Sequence, residues 1–75
     1  METKLECKNG WVRIQRINDE ESNESVKILT NIDDDCEIGL TLSYDCKSKA
    51  DKAFEKLSKS NPDKLKDGVM QMLGL

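Results

Sequence analysis

The dipeptide Asn9-Gly10 constrains this chain more than any other feature. Asn-Gly between alternating apolar residues is the strongest short-range hairpin signal, because a type I′ turn needs positive φ at both central positions. A two-residue turn there sets Lys8 opposite Trp11, Cys7 opposite Val12, Glu6 opposite Arg13 and Leu5 opposite Ile14. Leu5, Cys7, Val12 and Ile14 then share one face, while Glu6, Lys8, Trp11 and Arg13 share the other. Glu6 and Arg13 would form an opposite-charge cross-strand pair. A slip of one residue scrambles both faces.

The pattern continues beyond the hairpin. Residues 18–25, NDEESNES, contain no apolar side chain and read as a solvated loop. In SVKILTNI, Val26, Ile28, Thr30 and Ile32 fall on one face and Lys27, Leu29 and Asn31 on the other. After the turn DDDCE, the run IGLTLSY puts Ile38, Leu40, Leu42 and Tyr44 on a single face. Short connections between successive strands favour an antiparallel meander.

The period then changes from two to 3.6. Ala50, Ala53, Phe54 and Leu57 lie on one helical face, and Ser48 with Asp51 reads as a variant capping box. Asn61-Pro62 reads as an N-cap followed by proline at the first helical position. Leu65, Val69, Met72 and Leu73 supply the apolar face of this second helix, which Gly68 weakens by about 1 kcal/mol relative to alanine. A sheet with one apolar face must cover it, and the two helices are the available cover. The expected fold is therefore α+β, ββββαα: a four-stranded antiparallel meander over residues 3–44, then helices at about 48–59 and 62–73 packed on one face. The chain of 75 residues makes a single small domain. A domain of this size buries only about 60% of the surface its unfolded chain exposes.

Charge is distributed unevenly. Residues 1–17 hold four basic and two acidic groups; residues 18–46 hold nine acidic groups and Lys27; residues 47–75 hold seven lysines and four acids. An acidic band thus lies between two mildly basic ends, a pattern that bears on partners rather than on fold. Asn31, Asp33, Asp35 and Glu37 alternate like the first ligands of a calcium loop. Cys36 and Leu42, however, occupy the positions where an EF-hand needs glycine and glutamate.

Catalytic and cofactor chemistry find little support. The chain has no histidine and no glycine-rich phosphate loop, and its three cysteines share no metal-binding spacing. Cys7, Cys36 and Cys46 read as small neutral residues of a reducing compartment. Cys46, beside Lys47 and Lys49, is the least inert of them. Direct nucleic-acid binding needs a basic face with stacking aromatics, and the lysines of the last third are interleaved with acids. No apolar run approaches the roughly 18 residues of a membrane span, and the N-terminus lacks a secretory pattern. A cytoplasmic protein without cofactor, metal, membrane or direct nucleic-acid contact is expected.

Two surfaces remain as candidates. One is the open sheet face with Trp11, Arg13, Gln15 and Leu29, residue types that include the commonest interface hot spots. The other is the pair of acidic loops, with Asp19, Glu20, Glu21 and Glu24 in the first and Asp33, Asp34, Asp35 and Glu37 in the second. Carboxylates in such loops can stand in for phosphates on a basic groove. The expected function is a non-enzymatic inhibitor or modulator, of a phage or mobile-element type, that occupies the surface of a basic, nucleic-acid-handling protein. The alternative is a subunit that self-associates, as a homodimer or larger assembly, through the face around Trp11.

Overall fold

Period-two alternation carries the first half of the chain into four strands, and the change to a helical period carries the rest into two helices. The computed structural model describes residues 1–18, 24–33 and 35–74. The elements are β1 (Glu2–Cys7), β2 (Gly10–Asn18), β3 (Glu24–Asn31), β4 (Glu37–Tyr44), α1 (Lys47–Ser58) and α2 (Pro62–Met72). The strands form one antiparallel sheet in the order β1-β2-β3-β4. This is the ββββαα architecture that the periodicity predicts.

The first hairpin has a different register from the one expected of Asn9-Gly10. Cys7 pairs with Gly10, Glu6 with Trp11, Leu5 with Val12 and Lys4 with Arg13. The turn residues are therefore Lys8 and Asn9, and Gly10 already belongs to β2. The shift is even, so the two faces keep their members while the Glu6–Arg13 pair is lost. The cause lies in β3. The Asn31 side chain crosses over Gly10, where a Cβ would lie 2.0 Å from its Oδ1, and Gly10 holds a φ of +148°. The Asn31 Oδ1 accepts the Trp11 backbone N–H at 2.9 Å. Gly10 thus serves a close approach between strands rather than the second position of a turn.

Val12, Ile14, Val26 and Ile28 form the centre of the core, closed by Ala50 from α1 and Val69 from α2. Leu40, Phe54, Leu57 and Leu65 pack around them. Thr30 is also fully buried, and its hydroxyl donates to the Trp11 carbonyl at 2.8 Å, so no polar group is stranded there. Three apolar residues expected inside are exposed: Ile32, past the end of β3, and Met72 and Leu73, at the end of α2.

Two boundary expectations are corrected. Glu24 and Ser25 are the first residues of β3 rather than loop, because the β2–β3 ladder runs on to the pair Asn18 and Glu24. The capping box at Ser48 and Asp51 is also absent: Cys46 is the N-cap of α1 and makes no side-chain cap. Asp51 turns instead to Arg16, whose Nε donates to its Oδ1 at 3.0 Å. Arg16 lies on the helix-covered face of β2 and also binds Glu24. By contrast, α2 begins as expected, with Asn61 Oδ1 accepting the Asp63 N–H and Pro62 following the cap.

Candidate functional site

In a meander the first and third turns lie at the same end of the sheet. That parity brings the β1–β2 turn beside the β3–β4 turn. Trp11, Asn31, Asp33, Asp35, Cys36 and Glu37 line a shared depression of about 170 Å³ there. The β3–β4 turn is tied by Ile32 N–H donating to the Cys36 carbonyl at 2.9 Å. Asp33 Oδ1 accepts the N–H groups of both Asp35 and Cys36 at 2.9 Å. Such an Asx arrangement fixes the loop and leaves the Asp35 side chain in solvent.

The floor of this end is a polar knot. Lys66 of α2 donates to the Asn31 carbonyl at 2.7 Å and to Asn31 Oδ1 at 3.0 Å. Lys8 N–H donates to Asp63 Oδ1 at 3.1 Å, which docks the hairpin tip on α2. Lys66 carried no signal in the sequence, and Asn9 and Asn31, which read there as a turn residue and as the start of a calcium-loop-like pattern, gave no sign of this contact.

Trp11 is half-buried and covered by its neighbours on the open face. The Arg13 guanidinium sits 4.8 Å from the ring centroid and the Lys4 ammonium 5.8 Å from it. Cations over an indole face gain about 0.5–1 kcal/mol at exposed sites. Arg13 also approaches Glu2 at 3.4 Å and Glu37 at 3.6 Å, replacing the lost partner Glu6. Gln15 donates to the same Glu2 oxygen at 3.3 Å. Leu29 folds over Gly39, where a Cβ would lie 2.5 Å from the leucine Cδ2. The four sheet residues expected to form one surface do so, as a mixed polar face with the tryptophan at one end.

The acidic set divides. Asp33, Asp35 and Glu37 join Trp11 at the depression. Glu24, expected to be a free loop carboxylate, points to the helix side, where its side chain is 13% exposed and is held by Arg16. Asp19, Glu20, Glu21 and Asp34 lie outside the described residues.

The cysteines differ from one another in their surroundings. Cys46 is exposed, and hydrogen bonds from the Ser48 hydroxyl and the Lys49 N–H bring its thiol below the ordinary range. Cys7 is half-buried, and burial together with the Asp63 carboxylate pushes its thiol up. Because the thiolate is the nucleophile, Cys46 is expected to alkylate before Cys7 with iodoacetamide at neutral pH. Peptide mass spectrometry over time checks the order, and equal rates would contradict it.

Among the described residues, no group of three His, Cys, Asp or Glu side chains is placed to hold a metal ion. Among those residues, no helix is long and apolar enough to cross a membrane. The chain matches no protein family model, no characterised protein and no solved structure.

Proposed function

We propose that this chain is a non-enzymatic interaction protein of the cytoplasm that seats basic side chains of a protein partner at the end of the sheet bearing Trp11, Asp33, Asp35 and Glu37. The observation that carries this reading is the shared depression, which joins an aromatic face to three carboxylates. The chain's own Arg13 illustrates the chemistry, with its guanidinium over the indole and within 3.6 Å of the Glu37 carboxylate. A partner's arginine or lysine meets the Asp33, Asp35 and Glu37 carboxylates directly, and reaches the indole face by displacing Arg13 or Lys4. Partners with such basic surfaces are common among proteins that grip nucleic-acid backbones, and occupying that surface would inhibit or modulate them.

A short capped arginine peptide is the direct probe, titrated into isotope-labelled protein and followed by NMR. The Trp11 indole and the Asp35, Cys36 and Glu37 amides are expected to shift at low salt and to stop shifting in molar salt, where the Debye length is about 3 Å. Asp33→Asn, Asp35→Asn and Glu37→Gln together are expected to abolish the response. Asn at position 33 still offers an oxygen to the two turn N–H groups, so the loop is kept. Binding that ignores both salt and the triple substitution would rule out the acidic end as the site.

A further inference from the structure

The two edges of the sheet are protected differently. β1 carries Glu2, Lys4 and Glu6, a charge at every second position. β4 has no charge and no proline between Glu37 and Tyr44. Natural sheets block exposed edges with charges, prolines or bulges, because unpaired N–H and C=O groups invite another strand. The helix side of β4 is also incompletely covered. α2 packs on β1, β2 and β3, and between it and β4 runs an open apolar groove of about 240 Å³. Leu40, Leu42, Leu57, Leu65, Gly68 and Met72 line that groove, and Met72 is 76% exposed. At one end of the strand stand the exposed carboxylates of Asp35 and Glu37, the latter 3.6 Å from Arg13, and at the other the exposed Asp45 is paired with Lys49 at 3.1 Å.

We infer that β4 is a docking edge for an extended segment of the basic partner, which adds to the sheet as a fifth strand. The inference rests on the reading that the partner is basic. Main-chain hydrogen bonds to β4 would hold the segment, and its alternate side chains would choose it. Apolar side chains on the helix side drop into the groove, a basic residue at one end of the segment meets Asp35 and Glu37, and one at the other end competes with Lys49 for Asp45. A second copy of this chain fits less well. Antiparallel self-pairing that opposes Leu40 with Leu42 also opposes Glu37 with Asp45 at both ends of the ladder.

The probe is a capped peptide with lysine at each end and alternating valine and threonine between. Its binding is expected to protect β4 amides from hydrogen exchange while leaving β1 unchanged. Gly68→Leu plugs the groove without disturbing the fold, because a Cβ at Gly68 meets nothing within 4 Å. A thermal melt at or above that of the wild type verifies that, since leucine also favours the helix over glycine, and the peptide is expected to bind about tenfold or more weakly. Full affinity in this variant would overturn the groove's part in docking. A lysine-ended peptide with a central proline that binds equally, without β4 protection, would overturn strand addition and leave the basic reading standing. A glutamate-ended peptide that binds as well as the lysine-ended one would overturn the basic reading and leave strand addition standing. Dimerisation of the chain alone, seen by sedimentation together with β4 protection, would overturn the choice of a foreign segment over a second copy.

Discussion

Gly10→Ala is expected to destabilise the fold by about 3 kcal/mol, a large share of the stability of so small a domain. Two separable costs add. The backbone holds a φ of +148°, a region that costs a residue with a Cβ about 1–3 kcal/mol. The new methyl group would also lie 2.0 Å from Asn31 Oδ1. Asn31 can swing aside only by surrendering its bonds to the Trp11 N–H and to Lys66, each worth about 1 kcal/mol. Urea unfolding of Gly10→Ala in the wild-type and Asn31→Ala backgrounds separates the terms. With Asn31 truncated, only the backbone cost of about 1–3 kcal/mol should remain. An undiminished cost would show that Asn31 does not dictate the glycine, and that the register of the first hairpin has another cause.

That glycine also shows what could be read from the chain and what could not. Alternation of apolar residues was enough for the four strands and the membership of each face, because burial on one side penalises any odd slip of register, while the order rested only on the preference of short connections for a meander. It could not distinguish two registers related by an even shift, since both keep Val12 and Ile14 inside. Asn31, twenty residues beyond Trp11, decided between them. Arg16 was hidden for a related reason: it follows Val12 and Ile14 on the inward face, and alternation has no means of announcing that a cation at such a position is matched. The juxtaposition of Trp11 with Asp33 and Asp35 was missed, since in the sequence the sheet face and the acidic loops read as two separate surfaces. Turn parity in a meander, which separates the two acidic turns, equally places the first turn beside the third. The apolar groove was not legible, because Met72 and Leu73 have the right helical spacing for a buried face. Their exposure depends on where α2 comes to lie across the strands.

Arg16→Ala is expected to lower the urea midpoint several times more than Arg13→Ala, although both remove one arginine from β2. The Arg13 side chain is 34% exposed, and its carboxylates are at 3.4 and 3.6 Å, the geometry of surface pairs that contribute little. The Arg16 side chain is 5% exposed. Its Nε binds Asp51 of α1, one terminal nitrogen binds Glu24 of β3, and the other donates to the Ile17 and Ser25 carbonyls at 2.6 and 3.4 Å. A single planar fork therefore joins the second strand, the third strand and the first helix. Removing it leaves the Glu24 carboxylate half-enclosed without a counter-ion, the arrangement in which breaking a pair costs most. Arg16→Lys should retain little of the stability, since one ammonium cannot address Glu24 and Asp51 in the plane the guanidinium uses. Removing all the charges together reverses the argument. A combined Arg16→Met, Glu24→Leu, Asp51→Asn variant no longer has to desolvate the two enclosed ions, Arg16 and Glu24, while the 42% exposed position 51 stays polar, and its midpoint should return to the wild-type value or exceed it. If Arg16→Ala and Arg13→Ala prove equally mild, the tie between sheet and helix at Arg16 is not formed in solution. α1 would then be held by Ala50, Phe54 and Leu57 alone.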